Sequence, residues 1–482
     1  MPASSHPQAH PWRVLALLGT AFFMTIVDGT SLLTALPSIK QDLHLDAAAA
    51  QWTVTAYALA FSGPLLLCGR AADLLGRRRM FLAGMALRVL ASLLCGLSPS
   101  AQALVAGRAL QGLSAAIIAP AALSMVMNTF PEGTQRNKAL GIWGGLGGCG
   151  ATAGLLLGGL VTDTLSWQWV FWINVPVGIV VLMLAPAQLH ESRDPARAHS
   201  FDIAGALTIT PALALLVYAI AQLPTAGWAS GRSVGLLTAA AGLTALFVLV
   251  EKRSKAPLLP FRVLRSRSLV GGNLLILIAG MAVDGMLITL TSYLQQVLGW
   301  SAAQFGLVTA VMTGTAVVGA LVSQRVVTMV GVRPVAATGT VLLGSGCLLL
   351  TGLTPSGSLG LLMASLLLFG AGMGTAAVCS QISALAGVAE EDSGLAASLV
   401  DTSFALGTAL GVAICTTIAA AHTSATGGPT PRALASGLHV AFGTAALFSI
   451  LGLITALRFF GKRPAGSDLR PICAPTPDPI HR

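Results

Sequence analysis

The stretch GRAADLLGRRR, residues 69–79, places four arginines and one aspartate within eleven residues of a chain in which only 9% of residues are charged. Apolar runs long enough to cross a bilayer flank it on both sides, at 51–68 and 80–97. Because a charged side chain enters hydrocarbon only at high cost, the stretch is predicted to form a tight loop outside the membrane. Short arginine-rich loops stay on the cytoplasmic side, so this loop predicts the orientation of the protein.

The composition indicates a protein with many membrane spans. Of its 482 residues, 55% are apolar, 17 are acidic and 27 are basic, and the mean hydropathy is +0.80. A soluble protein would have about a quarter of its residues charged. The net charge of +10 does not predict nucleic-acid binding, because the basic residues are spread over many loops instead of gathering on one element.

The sequence contains no motif for catalysis or metal binding. It has no GxxxxGK[ST] phosphate loop and no GxSxG nucleophile elbow, so neither an ATP-driven motor nor a serine hydrolase is expected. The seven cysteines include no CxxC pair, and the histidines are too dispersed to bind a metal ion together. We therefore expect a protein that is not an enzyme and that uses neither a cofactor nor a metal.

Hydropathy predicts fourteen membrane-spanning helices, each of about 20 residues, the length that crosses a bilayer. Their predicted ranges are 12–36, 50–68, 79–97, 101–127, 138–161, 167–185, 203–222, 232–250, 269–294, 303–323, 334–353, 357–381, 393–420 and 437–460. With both termini in the cytoplasm, only Lys40, Arg232 and Arg432 among the basic residues of the loops fall outside. This asymmetry predicts a multi-pass protein in the lipid bilayer of the plasma (inner) membrane, and we expect it to be a monomer.

Three features of the predicted spans recur after eight further spans. A Val-Asp-Gly triplet in span 1, which contains Asp28, recurs in span 9 with Asp284. The loop after span 2 has a weaker copy after span 10, at Gly331 and Arg333, and the glycine-rich span 5 has a weaker copy in span 13. The repetition predicts two related six-helix bundles at 12–185 and 269–460. Two inserted helices and a cytoplasmic linker occupy 186–268, and the tails are 1–11 and 461–482.

The loop at 69–79 resembles the cytoplasmic signature of the major facilitator superfamily. The residues at the signature spacings are Gly69, Asp73, Gly76, Arg77 and Arg78. Fourteen spans with an inserted pair resemble the drug:proton antiporter branch of that superfamily. The resemblance extends from Arg13 to about Phe460. It implies the all-α major facilitator fold, a conformational switch at this loop, and export of a small organic compound, a drug or antibiotic, in exchange for protons.

Span 1 carries a second part of the resemblance. Asp28, Thr30 and the Ala-Leu-Pro run at 35–37 match the first-helix signature of the branch, with Leu33 in place of its asparagine. A carboxylate deep in a bilayer has to face a cavity or a partner. We interpret Asp28 as a proton-coupling residue; the alternative is an ion pair that only holds helices together.

Arg108 is the predicted partner of Asp28. The stretch 104–116, LVAGRALQGLSAA, resembles the fourth-helix pattern of the superfamily and includes Gln111 and Gly112, which we assign to the conformational switch. Arg108 lies about 10 Å and Asp28 about 12 Å below the outer ends of their helices, so the two charges share a depth. We hypothesise that Arg108 keeps Asp28 ionised until substrate or the opening of a cavity separates them.

Span 5 has the glycine spacing of the antiporter signature. The glycines are Gly141, Gly150, Gly154, Gly158 and Gly159. Three of them recur every four residues and form a flat stripe for close helix contact, which we expect to act as a hinge that keeps the two bundles sealed in one state. Leu155 stands where the signature has proline, and it lacks the helix kink that proline would give. The WQWVFWINVPVG run at 167–178 resembles another part of the branch and is expected to anchor the chain at the interface.

The second bundle contains two intramembrane acids, Asp284 and Asp401, with no basic residue inside spans 9–13 to pair with. They could bind a cationic substrate or carry a second proton; for Asp401, a position at a wet helix end is the alternative. Arg88 in span 3 is also intramembrane, and the sequence offers it only an unidentified acidic partner. The acidic loop Glu390–Asp392 could pair with Arg77, Arg78 and Arg79 when the inner side is closed.

These features predict a secondary transporter that alternates access to a midplane cavity. One alternative is a proton-coupled importer or symporter of a small organic solute, which Leu155 favours. The other is a membrane sensor that transports nothing, in which Asp28 and Arg108 would be dispensable.

Overall fold

The computed structural model describes residues 10–191, 202–254, 257–259, 262–354, 358–426, 428 and 430–461, and these are helical almost throughout. The helices are α1 (Pro11–Asp42), α2 (Ala47–Ser62), α3 (Leu65–Leu75), α4 (Arg77–Gly96), α5 (Ala101–Thr129), α6 (Thr134–Thr164), α7 (Trp169–Trp172), α8 (Asn174–Gln188), α9 (Ile203–Ala226), α10 (Gly231–Arg253), α11 (Arg267–Ser292), α12 (Ala302–Val330), α13 (Val332–Leu350), α14 (Leu359–Ala384), α15 (Ser393–Ala425) and α16 (Pro431–Phe459).

Within the described ranges, thirteen helices are long and apolar enough to cross a membrane, and the pair α2 and α3 forms the fourteenth span. This pair bends by 44° at Gly63 and Pro64. Proline lacks an N–H group for the helical ladder, which explains the break at this point. Helices α7 and α8 together form span 6. The prediction of an all-α protein with fourteen spans is confirmed.

The packing of the helices repeats with the predicted offset of eight spans. In the first half, α1 packs on α6 and α8, and in the second half α11 packs on α15 and α16. The contact of α4 with α5 corresponds to that of α13 with α14, and the contact of α2 with α5 corresponds to that of α12 with α14. The limits of the two bundles at 12–185 and 269–460 remain a prediction.

A glycine turn occurs at the same place in each half. Gly76 separates α3 from α4 with φ 109°, and Gly331 separates α12 from α13 with φ 88°. Residues with a Cβ atom rarely adopt these angles, so glycine allows one helix to end and the next to begin without a longer loop. The copy of the glycine-arginine loop predicted after span 10 therefore shares the backbone geometry of the first.

The glycine stripe of α6 lies against α1, within the first half. A Cβ atom added to Gly158 would lie 2.7 Å from the carbonyl oxygen of Ser31, and one added to Gly150 would lie 3.1 Å from Ile26 Cβ. Gly154 faces Val27 and Thr30 of the same helix. The stripe makes the close helix contact that its spacing predicts, with α1 of the same half as its partner, and its role as a hinge stays a prediction.

Contact between the halves on this side comes from other residues of α6. A Cβ atom at Gly141 would lie 2.9 Å from Gln324 of α12, and the side chains of Thr152 and Thr313 share a hydrogen bond. Leu155 packs against the apolar core of the second half. The helix runs without a break through Leu155, as expected where the kinking proline is replaced.

The inserted helix α9 lies across the seam between the halves, and α10 packs on α9. Helix α9 packs on α2 and α3 of the first half and on α15 of the second. The side chain of Asp202 caps α9 by accepting a hydrogen bond of 2.7 Å from the Gly205 N–H. The inserted pair is therefore placed to respond to movement of one half against the other.

We predict that Gly154→Ala lowers the melting temperature of the purified protein in detergent. The new Cβ atom would lie 2.6 Å from the Val27 carbonyl oxygen and would overlap the Thr30 hydroxyl. Overpacking of this kind costs about 1–3 kcal/mol. The matched control is Gly159→Ala in the same helix, because no atom lies within 4 Å of a Cβ at that position. Equal melting temperatures for the two variants would contradict the packing assigned to the stripe.

Candidate transport site and inner gate

Asp28 of α1 is fully buried and is surrounded by four side-chain donors from three other spans. Its Oδ2 atom is 3.0 Å from Arg108 Nη1 and 3.2 Å from Arg88 Nη2. Its Oδ1 atom accepts hydrogen bonds from Gln111 Nε2 at 3.0 Å and from Asn174 Nδ2 at 2.9 Å. Burying a carboxylate requires such complete hydrogen bonding, and we name these five residues the Asp28 cluster.

The two arginines of the Asp28 cluster are fixed by further contacts. Arg108 Nη1 donates to Gln111 Oε1 at 2.8 Å, and its Nε donates to the Thr53 carbonyl at 3.2 Å. The Arg108 guanidinium also lies 4.3 Å from the centroid of the Tyr57 ring, which adds a cation–π contact. Arg88 Nη1 donates to the Gln111 carbonyl at 3.1 Å. Two guanidinium groups thus share one carboxylate, and the ionised side chains of the cluster carry one excess positive charge.

The structure places Arg108 beside Asp28, as the shared depth of the two residues predicts. It also provides the missing partner of Arg88. The interpretation of Asn174 as part of an interfacial anchor is wrong, since this residue is 2% exposed and bonds to Asp28. An amide deep in an apolar span is the signal that could have identified it.

Gln111 and Gly112, which the sequence assigns to the conformational switch, do not contact the loop at 69–79 in the described contacts. Gln111 bridges Asp28, Arg108 and Ser92 Oγ, the last at 3.0 Å. Gly112 packs on α2, where an added Cβ would lie 3.1 Å from Ala60 Cβ. Both residues therefore belong to the membrane interior.

Asp284 is the counterpart of Asp28 in the second half, but the arginines are not repeated. Gly84 of α4 packs on α5, and Gly339 of α13 packs on α14 in the same manner. Arg88 follows Gly84 by four residues, and the buried Leu343 follows Gly339 by four residues. The second half therefore has a leucine at the position of Arg88. Among the described residues, no salt bridge is formed by Asp284, and its side chain is only partly buried.

Asp401 lies on the face of α15 that is turned toward the first half. It follows Gly394 and Ser398 at helical spacing, and both of these contact Gly69 of α3. Its Oδ2 atom is buried without a hydrogen-bond partner in the described part of the chain. Asp401 is therefore a carboxylate at the contact between the halves that is not saturated by protein donors.

We name the contacts between residues 69–79 and the start of α15 the inner gate, after the cytoplasmic side predicted for this loop. Asp73 caps a helix of the opposite half there. Its carboxylate accepts hydrogen bonds from the backbone N–H groups of Gly394 at 2.9 Å and Leu395 at 3.0 Å, at the start of α15. Arg77 Nη2 donates to the same carboxylate at 2.9 Å. A negative charge is favourable at a helix N-terminus, so this contact attracts the two halves to each other.

Close backbone approach makes this cap geometrically possible. A Cβ atom at Gly69 would lie 2.5 Å from the Gly394 carbonyl oxygen, and one at Gly394 would lie 2.5 Å from the Gly69 carbonyl oxygen. Only a pair of glycines permits α3 and α15 to approach this closely. The signature glycine at position 69 is thereby explained.

The acidic turn Glu390–Asp392 pairs with only some of the expected arginines. Arg77 donates to the Glu390 carbonyl and lies 3.8 Å from its carboxylate. Arg78 instead donates to the Pro186 carbonyl at 3.1 Å, and Arg79 lies 3.6 Å from Glu191, both within the first half. The expectation for Arg78 and Arg79 is wrong, because the end of α8 lies closer to them.

Comparison with known proteins shows what the chain resembles. Residues 18–250 and 272–474 match the family model described as the Major Facilitator Superfamily. The chain is 36% identical over 463 residues to a puromycin resistance protein of Streptomyces alboniger, covering 94% of this chain and 92% of that protein. It is 38% identical over 445 residues to a cephamycin export protein of Amycolatopsis lactamdurans, covering 90% of each.

Two further comparisons agree with this. A tetracenomycin C resistance and export protein of Streptomyces glaucescens is 33% identical over 407 residues, covering 84% of this chain and 76% of that protein. The crystal structure of a human organic anion transporter superposes with a TM-score of 0.68 over 93% of this chain and all of that one, at 17% identity, and so supports the fold alone. The protein belongs to the major facilitator superfamily and is a multi-pass membrane transporter, not an enzyme.

Proposed function

We propose that the protein exports a small organic compound, a drug or antibiotic, in exchange for protons across the plasma (inner) membrane, with both termini in the cytoplasm. The names of the relatives that resist or export puromycin, tetracenomycin C and cephamycin support the substrate class. The observation that carries the proposal is the cap that Asp73 places on α15 of the opposite half. An alternating-access transporter has to close one side of its cavity at a time, and this cap holds the two halves together on one side.

The halves touch at the end that the proposed orientation places in the cytoplasm. Helix α15 packs on α3, the inner part of span 2, and on α5. Glu132 Oε1 also accepts a hydrogen bond of 3.0 Å from the Gly387 N–H on the opposite half. Opening the inner side requires these contacts and the Asp73 cap to break, so they hold the cycle in its inner-closed state.

We assign different roles to the intramembrane acids. Asp28 is already bonded to two arginines and two amides, so it acts as a fixed ionic joint between α1, α4, α5 and α8. Asp401 has an unpartnered oxygen at the contact between the halves. A group in that position changes its surroundings when the halves rock, as a proton carrier must, and Asp284 is the second candidate for proton or cation binding.

A proton-coupled importer or symporter is the second candidate. The observation that favours it is the unbroken helix α6 at Leu155, where the antiporter signature has proline. Direction of transport separates the two functions. Inverted membrane vesicles energised by a proton gradient accumulate the substrate of an exporter as protons leave, whereas a symporter would not load such vesicles.

The proposed function is tested by a resistance profile together with vesicle uptake. A pump-deficient bacterial host expressing the protein is expected to gain resistance to at least one of puromycin, tetracenomycin C and cephamycin, and its inverted vesicles to accumulate that compound until the gradient is collapsed. Accumulation that persists after collapse, or loading only in right-side-out vesicles, would contradict export in exchange for protons.

We predict that Asp401→Asn abolishes accumulation driven by a pH gradient in proteoliposomes while exchange of labelled for unlabelled substrate continues. The amide keeps the size of the side chain but cannot bind and release a proton. Asp163→Asn is the matched control, because Asp163 is an exposed acid near the end of α6. A pH-driven accumulation in Asp401→Asn equal to that of the control would refute the assignment of Asp401.

We also predict that Asp28→Asn costs more stability than Arg88→Gln. Removing the carboxylate leaves two buried guanidinium groups without a counter-charge, which costs about 3–5 kcal/mol. Removing Arg88 leaves one carboxylate paired with Arg108 and costs about 1–3 kcal/mol. Thermal unfolding in detergent measures the order of the two melting temperatures. An Arg88→Gln variant that melts at or below the temperature of Asp28→Asn would be inconsistent with the excess positive charge.

The same cluster tests the alternative of a membrane sensor that transports nothing. Full retention of the phenotype in both Asp28→Asn and Arg108→Ala would favour that sensor.

A further inference from the structure

Asp392 occupies the N-cap position of α15, yet its side chain does not cap that helix. Its Oδ2 atom is 2.8 Å from Arg262 Nη2, in the linker after the inserted helices, and its Oδ1 atom is 3.5 Å from Arg70 Nη1 of α3. The carboxylate is buried, although Arg262 itself is more than half exposed. Asp392 therefore joins three parts of the chain at the inner gate.

The N–H groups that Asp392 would cap are occupied by Asp73. An N-cap side chain accepts from the second and third residues of its helix, which here are Gly394 and Leu395. Asp73 of the opposite half accepts from both. The helix that begins at the gate thus has two carboxylates of suitable position, one in use and one held aside by arginines.

The position of Arg262 is set by the inserted helices. Glu251, at the end of α10, is buried and accepts hydrogen bonds from the backbone N–H groups of Leu258 at 3.0 Å and Leu259 at 3.4 Å. These two leucines pack in one apolar cluster with Leu66 of α3, Leu395 of α15 and residues of α9 and α10. The linker is therefore fixed to both halves and to the inserted pair at Leu259, three residues before Arg262.

We propose that the inner gate opens by an exchange of helix caps. When the halves part, Asp73 withdraws from α15, and Asp392 leaves Arg262 and Arg70 and takes over the N–H groups of Gly394 and Leu395. The exchange keeps the start of α15 satisfied in both states, since buried N–H groups without a partner are costly. It also releases the linker in the same step, which gives the inserted helices a direct influence on the gate.

This inference rests on the proposed alternating-access transport, but its test does not require export. Spin labels are attached at positions 79 and 386, exposed residues of the two halves near the gate, in a chain whose seven cysteines are replaced by alanine. Pulsed electron-spin distance measurements then give the fraction of molecules whose inner gate is open. If the gate responds as described but no compound is exported in the resistance and vesicle assays, the proposed function fails and the cap exchange stands.

Arg262→Gln tests whether the ion pair of Arg262 with Asp392 holds the inner gate closed. Loss of one partly exposed ion pair is expected to raise the open fraction about two- to fivefold. Arg265→Gln removes the same charge from the same turn of the linker and serves as the matched control, with an open fraction equal to that of the parent chain. Equal open fractions in Arg262→Gln and Arg265→Gln would overturn this role of the ion pair. Because Arg262 lies at the surface, its variant is expected to fold and to give a distance measurement even if changes at the buried Asp392 prevent folding.

Two substitutions of Asp392 test the exchange itself. Asparagine loses the ion pairs but remains a good N-cap, whereas alanine loses both. The open fraction in Asp392→Asn is therefore expected to exceed that in Asp392→Ala about fivefold, the usual effect of a lost N-cap. A role of Asp392 in the ion pairs alone predicts equal fractions in the two variants, and that result would overturn the cap exchange.

Discussion

The structure depends on the high cost of burying a charge without a partner. A buried carboxylate or N–H group cannot turn to solvent, so it is stable only where the protein supplies its hydrogen bonds. Asp28 meets this need with two arginines and two amides from other helices, and Asp73 meets it with an arginine and two N–H groups. The difference lies in where the partners come from. Those of Asp28 belong to its own half, whereas the N–H partners of Asp73 belong to the other half and have to separate if the halves move.

The two halves share their architecture but differ in their charges. The helix pairings and glycine turns repeat with an offset of eight spans, and glycines of α15 approach α11 as those of α6 approach α1. The two fully buried arginines that fix Asp28, Arg88 and Arg108, belong to the first half. The second half keeps Asp284 and Asp401 without such partners in its described residues. Asp28 is thus saturated with protein donors and the acids of the second half are not, and the proposed roles of a fixed joint and of proton carriers depend on this difference.

Much of the fold could be predicted from the sequence, because hydropathy and the placement of arginines depend on depth in the membrane alone. Depth also sufficed to pair Asp28 with Arg108. The remaining partners required knowledge of how each helix is rotated about its axis, which hydropathy does not provide. For this reason the sequence leaves Arg88 without an identified partner, places Asn174 in an anchor, and does not identify α1 as the helix against which the glycine stripe packs. The roles of Asp392 and Arg262 depend on loop geometry, which carries no periodic signal.

The central claim is that Asp73 holds the inner gate closed by capping a helix across the two halves, and the distance between positions 79 and 386 in Asp73→Asn tests it most directly. Asparagine lacks the charge that attracts both Arg77 and the start of α15, and charge-assisted hydrogen bonds contribute about 1.5–3 kcal/mol each. The account predicts that the long, inner-open distance becomes the main population in this variant. A distribution unchanged from that of the parent chain would contradict it.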